Sequence, residues 1–239
     1  MNAHQTMDSF STQWWGCMLA VSIAITLLLI IPYYTNWGKS KSYPKLIGLL
    51  IAINLIAENV YAYEIGNWHL TENLPLHLCG LSGLMGIFLM FRYSSTISQV
   101  FYYWALIGGV YSLLTPEFDL GADGYFFYSY FINHASIILV AFYIILHFEF
   151  IPTKKSWINA FYITQFAALC IGTFNWLFGS NYMYLSSPPI AHNPLIIGEW
   201  PWYIMVFEVL AFVHFYLLCE GFFFIRNITV KAFNKKPIK

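Results

Sequence analysis

The 239-residue sequence predicts an all-α fold, a polytopic membrane bundle of seven transmembrane helices with the N-terminus outside and the C-terminus cytoplasmic. Three observations carry this. The composition, 59% apolar and 21% aromatic with 9% charged residues, leaves a water-soluble domain too little polar surface. Seven long apolar runs follow one another along the chain. All eleven Lys and Arg fall in four short stretches, at every second gap between those runs and in the tail. A mean hydropathy of +0.61 agrees with the bilayer as solvent.

The first run, Trp14 to Tyr34, follows a segment that holds Asp8 and no Lys or Arg, so it is expected to stay as a helix and not to be removed as a signal peptide. The others are Leu46 to Tyr63, Leu76 to Tyr93, Ile97 to Leu114, Tyr125 to Phe148, Trp157 to Phe178 and Trp202 to Ile225. At about 1.5 Å per residue each reaches across most of a core of roughly 30 Å, and the fourth is the least secure. Lys39, Lys41 and Lys45 occupy the first gap, Arg92 the third, and Lys154 and Lys155 the fifth. Arg226, Lys231, Lys235, Lys236 and Lys239 occupy the tail. Short loops rich in Lys and Arg stay cytoplasmic, which sets the orientation and predicts a multi-pass protein of the cell membrane. The opposite side carries Asp8, Glu64, Glu72, Glu117, Asp119, Asp123 and Glu199. Trp14, Trp15, Tyr33, Tyr34, Trp37, Trp68, Trp200, Trp202 and Tyr203 cluster at run ends, where an interfacial belt accounts for most of them. Residues 1–239 read as a single domain with an outer loop at 179–202 and a basic tail at 226–239.

Cys17, Cys79, Cys170 and Cys219 all lie inside apolar runs, which argues against a disulfide framework, and no metal-ligand spacing occurs. No metal or organic cofactor is expected. Nucleic acid is not an expected partner either, because the basic tail more simply anchors the last helix against anionic lipid.

Counted from the outer end of each run, the polar residues converge. Glu58 lies about one and a half turns down the second helix, with Asn54 a turn deeper on the same face. His77 and Cys79 open the third helix just after Pro75, which suits a helix N-terminus. His134 falls near the middle of the fifth run with Tyr130 above it, Asn175 near the outer end of the sixth, and Glu208 about one and a half turns into the seventh. Ionisable groups are costly in lipid, so a converging set faces a protein interior or a wet cavity and marks a functional site by default. The plainer reading keeps pairs such as Glu58 with Asn54 as buried polar contacts that orient helices. His214 reads as a hydrogen-bonded packing residue, and Glu220 as an interfacial charge near Arg226.

Cys79 carries the sharpest expectation. A buried Cys is most often a small inert hydrophobe. A helix N-terminus favours a thiolate, however, and histidines supply a base. His77, two positions away, points to a nearly opposite face, which leaves His134 the better partner. Gly80, Gly83 and Gly86 let the third helix approach a neighbour closely. The outer loop, with Asn181-Tyr-Met-Tyr-Leu, Pro188, Pro189, Pro194 and Glu199-Trp-Pro-Trp-Tyr203, has the prolines and aromatics to fold back over the outer mouth.

The string Leu74-Pro-Leu-His-Leu-Cys79, the pair Asn133-His134, and the two loop motifs resemble the YwaF-like bacterial integral membrane proteins, a family similar to animal transmembrane protein 164. The resemblance runs from the second helix to the seventh. It implies a phospholipid acyltransferase with an intramembrane Cys and His, the activity ascribed to the animal relative. More distant androgen-induced relatives hydrolyse fatty-acid esters with a Thr and a His. Carried over, it implies Cys79 as nucleophile and His134 as base, with membrane lipids as acyl donor and acceptor. Glu58, Asn54, His77, Asn175 and Glu208 would orient the histidine or bind a headgroup. Gly80 and Ser186-Ser187 depart from the family pattern, which often has a polar and a basic residue there. Two other readings stand beside the enzyme. One is a transporter or receptor that binds a small polar solute through Glu58, His134 and Glu208. The other is a scaffold docking a membrane partner on its third helix, with the oligomeric state open.

Overall fold

The computed structural model describes residues 5–191 and 196–234, so His192, Pro194 and the tail lysines Lys235, Lys236 and Lys239 lie outside the described residues. Among the described residues there are seven α-helices: α1 (Thr12–Tyr34), α2 (Ser42–Glu64), α3 (Leu78–Phe91), α4 (Ser95–Leu114), α5 (Tyr125–His147), α6 (Ser156–Phe178) and α7 (Trp202–Asn234). Two dipeptide strands, β1 (Gln5–Thr6) and β2 (Glu117–Phe118), pair antiparallel with Gln5 opposite Phe118. A single 3-10 turn, Tyr182–Tyr184, interrupts the connection from α6 to α7.

Each apolar run contains one helix, and six of the seven are long and apolar enough to cross a membrane. The weak member is not the fourth. Ser94 caps α4, its Oγ accepting from the Ile97 amide at 3.4 Å, and that helix runs for 20 residues. It is α3 that is short, at 14 residues. Residues before Leu78 turn back instead of extending it, because Pro75 disfavours helix at the residue before it. The turned segment then packs onto the helix it precedes. A Cβ at Gly80 would lie 2.8 Å from the Pro75 backbone, so only glycine allows the fold-back. This is the use made of Gly80, whereas a Cβ at Gly83 would meet nothing within 4 Å. At the other extreme α7 continues past its apolar run to Asn234, so part of the expected tail is helix.

The helices are apolar all round, and their outward faces carry Leu19, Ile23 and Leu27 on α1 and Phe166 and Leu169 on α6, all exposed. Water would not tolerate so much apolar surface; hydrocarbon does. Half or more of α4 and α5 is buried, and these two form the centre, with α1 and α2 against α5, α3 against both, and α6 against α4 and α7. The main core, with Tyr43, Leu89, Phe101, Tyr103, Ile144 and Phe215, fills the end of the bundle that carries the basic loops. There Lys154 pairs with Glu220 at 3.3 Å and lies 4.0 Å from the Phe223 ring centre, so Glu220 answers a loop lysine from between α5 and α6. The other end is hollow.

Candidate functional site

A cavity of about 470 Å³ lies among α2 to α7. Glu58 lines it from α2, Cys79 from α3, His134 from α5 and Glu208 from α7, with His77 at the turn into α3. Ile51, Leu55, Leu78, Ile107 and Phe207 supply much of the rest of the wall, so the chamber is largely apolar with a few convergent polar groups.

The connection from α6 to α7 forms the roof, contributing Met183, Tyr184, Leu185, Pro189 and Ala191. Asn175 begins it. Its Oδ1 accepts from the Ser180 hydroxyl at 2.7 Å and the Tyr182 amide at 3.0 Å, and its Nδ2 donates to the Tyr182 carbonyl at 2.8 Å. The Tyr182 phenol donates to the Leu70 carbonyl at 2.7 Å and accepts from the Leu74 amide at 2.9 Å, stitching this loop to the segment before α3. Burial pushes that phenol up to about 12, so it remains a donor at any ordinary pH. Met183 and Tyr184 have φ of 57° and 54°, a left-handed conformation that costs non-glycine residues energy. It is held from three sides. The Met183 amide donates to His77 Nδ1 at 3.2 Å, the Tyr184 amide to the Asn181 carbonyl at 3.0 Å, and the Tyr203 phenol to the Tyr184 carbonyl at 2.6 Å. Glu117, a buried residue of β2, accepts from the Ile190 and Ala191 amides at 3.0 and 2.9 Å and pins that part of the roof. Tyr203 is thus buried structure, while Trp200 and Trp202 remain exposed as a belt requires.

Cys79 is the second residue of α3, and no side chain caps that helix. Its thiol lies 3.5 Å from the Ser112 hydroxyl and faces Gly108, where a Cβ would come within 2.9 Å of the sulfur. His134 packs on Tyr130 with ring centres 4.2 Å apart. Its Nδ1 is 2.7 Å from the Tyr130 carbonyl. A carbonyl only accepts, so Nδ1 carries the proton and Nε2 keeps the lone pair of a base. Among the described residues no hydrogen bond joins His134 to Cys79; the cavity they share is what relates them. His214 repeats the arrangement on α7, with Nδ1 2.7 Å from the Leu210 carbonyl and Nε2 2.8 Å from the Tyr111 phenol. It is hydrogen-bonded as expected, and it also lines the cavity. His77 is held the other way round. Nδ1 accepts from Met183, which places the proton on Nε2, 3.8 Å from Asp119 Oδ2.

Two predicted residues serve the walls from outside. Asn54 is buried in a network that joins α2 to α5. Its Nδ2 donates to Asn133 Oδ1 at 2.7 Å and to Ser129 Oγ at 3.1 Å, and its Oδ1 accepts from Tyr125 at 2.6 Å. Glu58 ends that network at the cavity, accepting from the Ser129 hydroxyl and from Asn133 Nδ2 at 2.8 Å. Asn175, as described, shapes the roof and does not reach the chamber. Glu208 accepts from Gln165 of α6.

Sequence reasoning passed over Ser112, Asp119, Tyr111 and Tyr184, all in the lining. Asp119 and Glu117 registered only as acids marking one side of the membrane. Burial and then Asp119 hold the Tyr184 phenol well above its ordinary range, and it donates to Asp119 Oδ1 at 3.3 Å.

No curated protein and no solved structure matches the chain. A sequence model of the TMEM164 family matches residues 9–219, which takes in α1 to α6, the first half of α7 and the whole lining of the cavity, and the chain belongs to that family.

Proposed function

We propose that this TMEM164-family protein, a YwaF-like member, is a seven-span enzyme of the cell membrane that transfers or hydrolyses a lipid acyl ester, with its chamber opening to the outer leaflet. The observation that supports the reading is a thiol and an imidazole, Cys79 from α3 and His134 from α5, in the wall of one largely apolar cavity. The Cys79 proton passes to His134 Nε2 and the thiolate attacks the ester carbonyl. Amides of the uncapped first turn of α3 offer the developing oxyanion donors that the helix itself leaves unused. Collapse breaks the ester C–O bond, the histidine protonates the departing lysolipid alcohol, and a Cys79 thioester remains. A second lipid hydroxyl or water, deprotonated by the same histidine, attacks the thioester and releases the thiol.

Membrane lipids are then both donor and acceptor. Glu58 from α2 and Glu208 from α7 support a second reading, in which a non-enzymatic transporter or receptor binds a small polar solute. The two separate on one experiment. Incubated with phosphatidylcholine and then digested, the purified protein should show acyl mass on the Cys79 peptide, and Cys79→Ala should lose both the adduct and lipid turnover. Full lipid turnover by Cys79→Ala would remove the nucleophile; under the second reading Glu58→Gln and Glu208→Gln would be the damaging changes. The orientation has its own test. A cysteine reporter beside Asp119 should react with an impermeant reagent from outside and one beside Lys154 should not, and the reverse pattern would move the chamber to the inner leaflet.

A further inference from the structure

A shallow groove runs down the lipid-facing side of α6, formed by Ala168, Leu169, Gly172, Thr173 and Trp176 with Leu185 of the roof above it. Ala168 and Leu185 also line the chamber that holds Cys79, so groove and chamber share a wall. Resting on the lipid reading above, we infer that this groove is the side entrance of the site and seats one acyl chain of the lipid substrate.

The chemistry of the groove selects the occupant. Leu169 and Trp176 are 70% and 82% exposed on a helix apolar enough to span a bilayer, so what lies against them is hydrocarbon. A chain there exchanges one apolar neighbour for another and gains the continuous surface that leads inward. Gly172 keeps the path open. A Cβ at that position would only touch Leu185 Cδ1 at 3.7 Å, an ordinary contact, but the branched end of a leucine would project into the space between them. Gly172 lies six residues from the end of α6 at Phe178, about 9 Å along the axis, a depth that suits the upper part of an acyl chain. Leu185 is the partition, and it follows the left-handed pair Met183 and Tyr184 whose backbone is tied to His77 and Tyr203.

The test uses the full chain in phosphatidylcholine vesicles containing a phosphatidylcholine with a diazirine in one acyl chain, with crosslinks mapped by mass spectrometry. Wild type should be labelled along α6 near Gly172 and inside the chamber near Ile107 and Phe207. Gly172→Leu should lower the chamber labelling several-fold while leaving labelling on the outer face of α1 near Leu19 unchanged. Leu185→Ala, which removes the partition, should raise it, and this variant decides the matter alone if Gly172→Leu does not fold. Chamber labelling undiminished by Gly172→Leu, or unmoved by Leu185→Ala, overturns the entrance and leaves the lipid reading standing. A wild-type chamber that takes no label while the outer surface does overturns both.

Discussion

The two ends of the bundle are built on opposite plans. At the end with the basic loops, α4 and α5 are surrounded by interlocked aromatics and branched aliphatics, and polar atoms pair locally, Tyr103 with Ser156 at 2.6 Å and Tyr43 with the Leu28 carbonyl at 2.7 Å. At the other end, polar groups from α2 to α7 and three connections meet around empty space, and they are satisfied through chains of contacts such as Tyr125, Asn54, Asn133 and Glu58. Dispersion holds one end together, while hydrogen-bond geometry shapes the other. Polar groups are expensive in an apolar solvent, so a hollow lined with them is kept for what it does and not for stability.

Breaking each end should therefore give different signatures. The largest effect expected is on turnover: His134→Ala removes the proposed base and, under the lipid reading, should lower acyl transfer roughly 10²- to 10⁴-fold with little change in unfolding, read by lipid mass spectrometry and by thermal denaturation in detergent. Phe101→Ala attacks the filled end. Phe101 is fully buried, and its loss should cost about 3–5 kcal/mol of stability, measured as an early unfolding transition, with activity per folded molecule preserved. Similar activity loss from both variants would erase the distinction between the ends. Smaller is Glu117→Gln, which places an amide group where two backbone amides need acceptors. Losing one hydrogen bond to a charged group is worth about 1.5–3 kcal/mol, so amide exchange and proteolysis around Ile190 should quicken while the helices hold. Unchanged exchange there would show that the roof does not depend on its carboxylate pin.

Legibility in the sequence divides along the same line. The helices are readable because their signal is length and hydropathy, and except at the end of α7 run and helix boundaries agree within a few residues, as with Trp157 to Phe178 against Ser156–Phe178. The convergence of Glu58, Cys79, His134 and Glu208 followed from counting depth along each run. What counting missed depends on loops. The third run is longer than α3 because Leu76 and His77 precede the helix, where Pro75 turns the chain back, and Arg92 and Tyr93 follow it. Asn175 sat at the right depth but its amide completes a loop, and no periodicity announces that. Glu117 lines the cavity from a two-residue strand that pairs with Gln5 and Thr6, more than a hundred positions away, and Asp119 follows that strand, a placement that leaves no local trace. The loop motifs Asn181-Tyr-Met-Tyr-Leu and Glu199-Trp-Pro-Trp-Tyr203 did point to a cover, and Tyr182 and Tyr203 are its buried anchors.

The shortness of α3 bears on the surrounding bilayer. Fourteen residues make a rod of about 21 Å, roughly 9 Å less than the hydrocarbon it would have to bridge. Such mismatch is relieved by local thinning of the membrane or by protein filling the deficit, and in the proposed seven-span reading the folded-back segment from Glu72 to His77, braced by Tyr182, would do the filling. In the proposed orientation the sulfur would then lie below the headgroups, near the level where glycerol esters begin, and under the proposed lipid reading a substrate would reach it by sliding sideways without being lifted out of its leaflet.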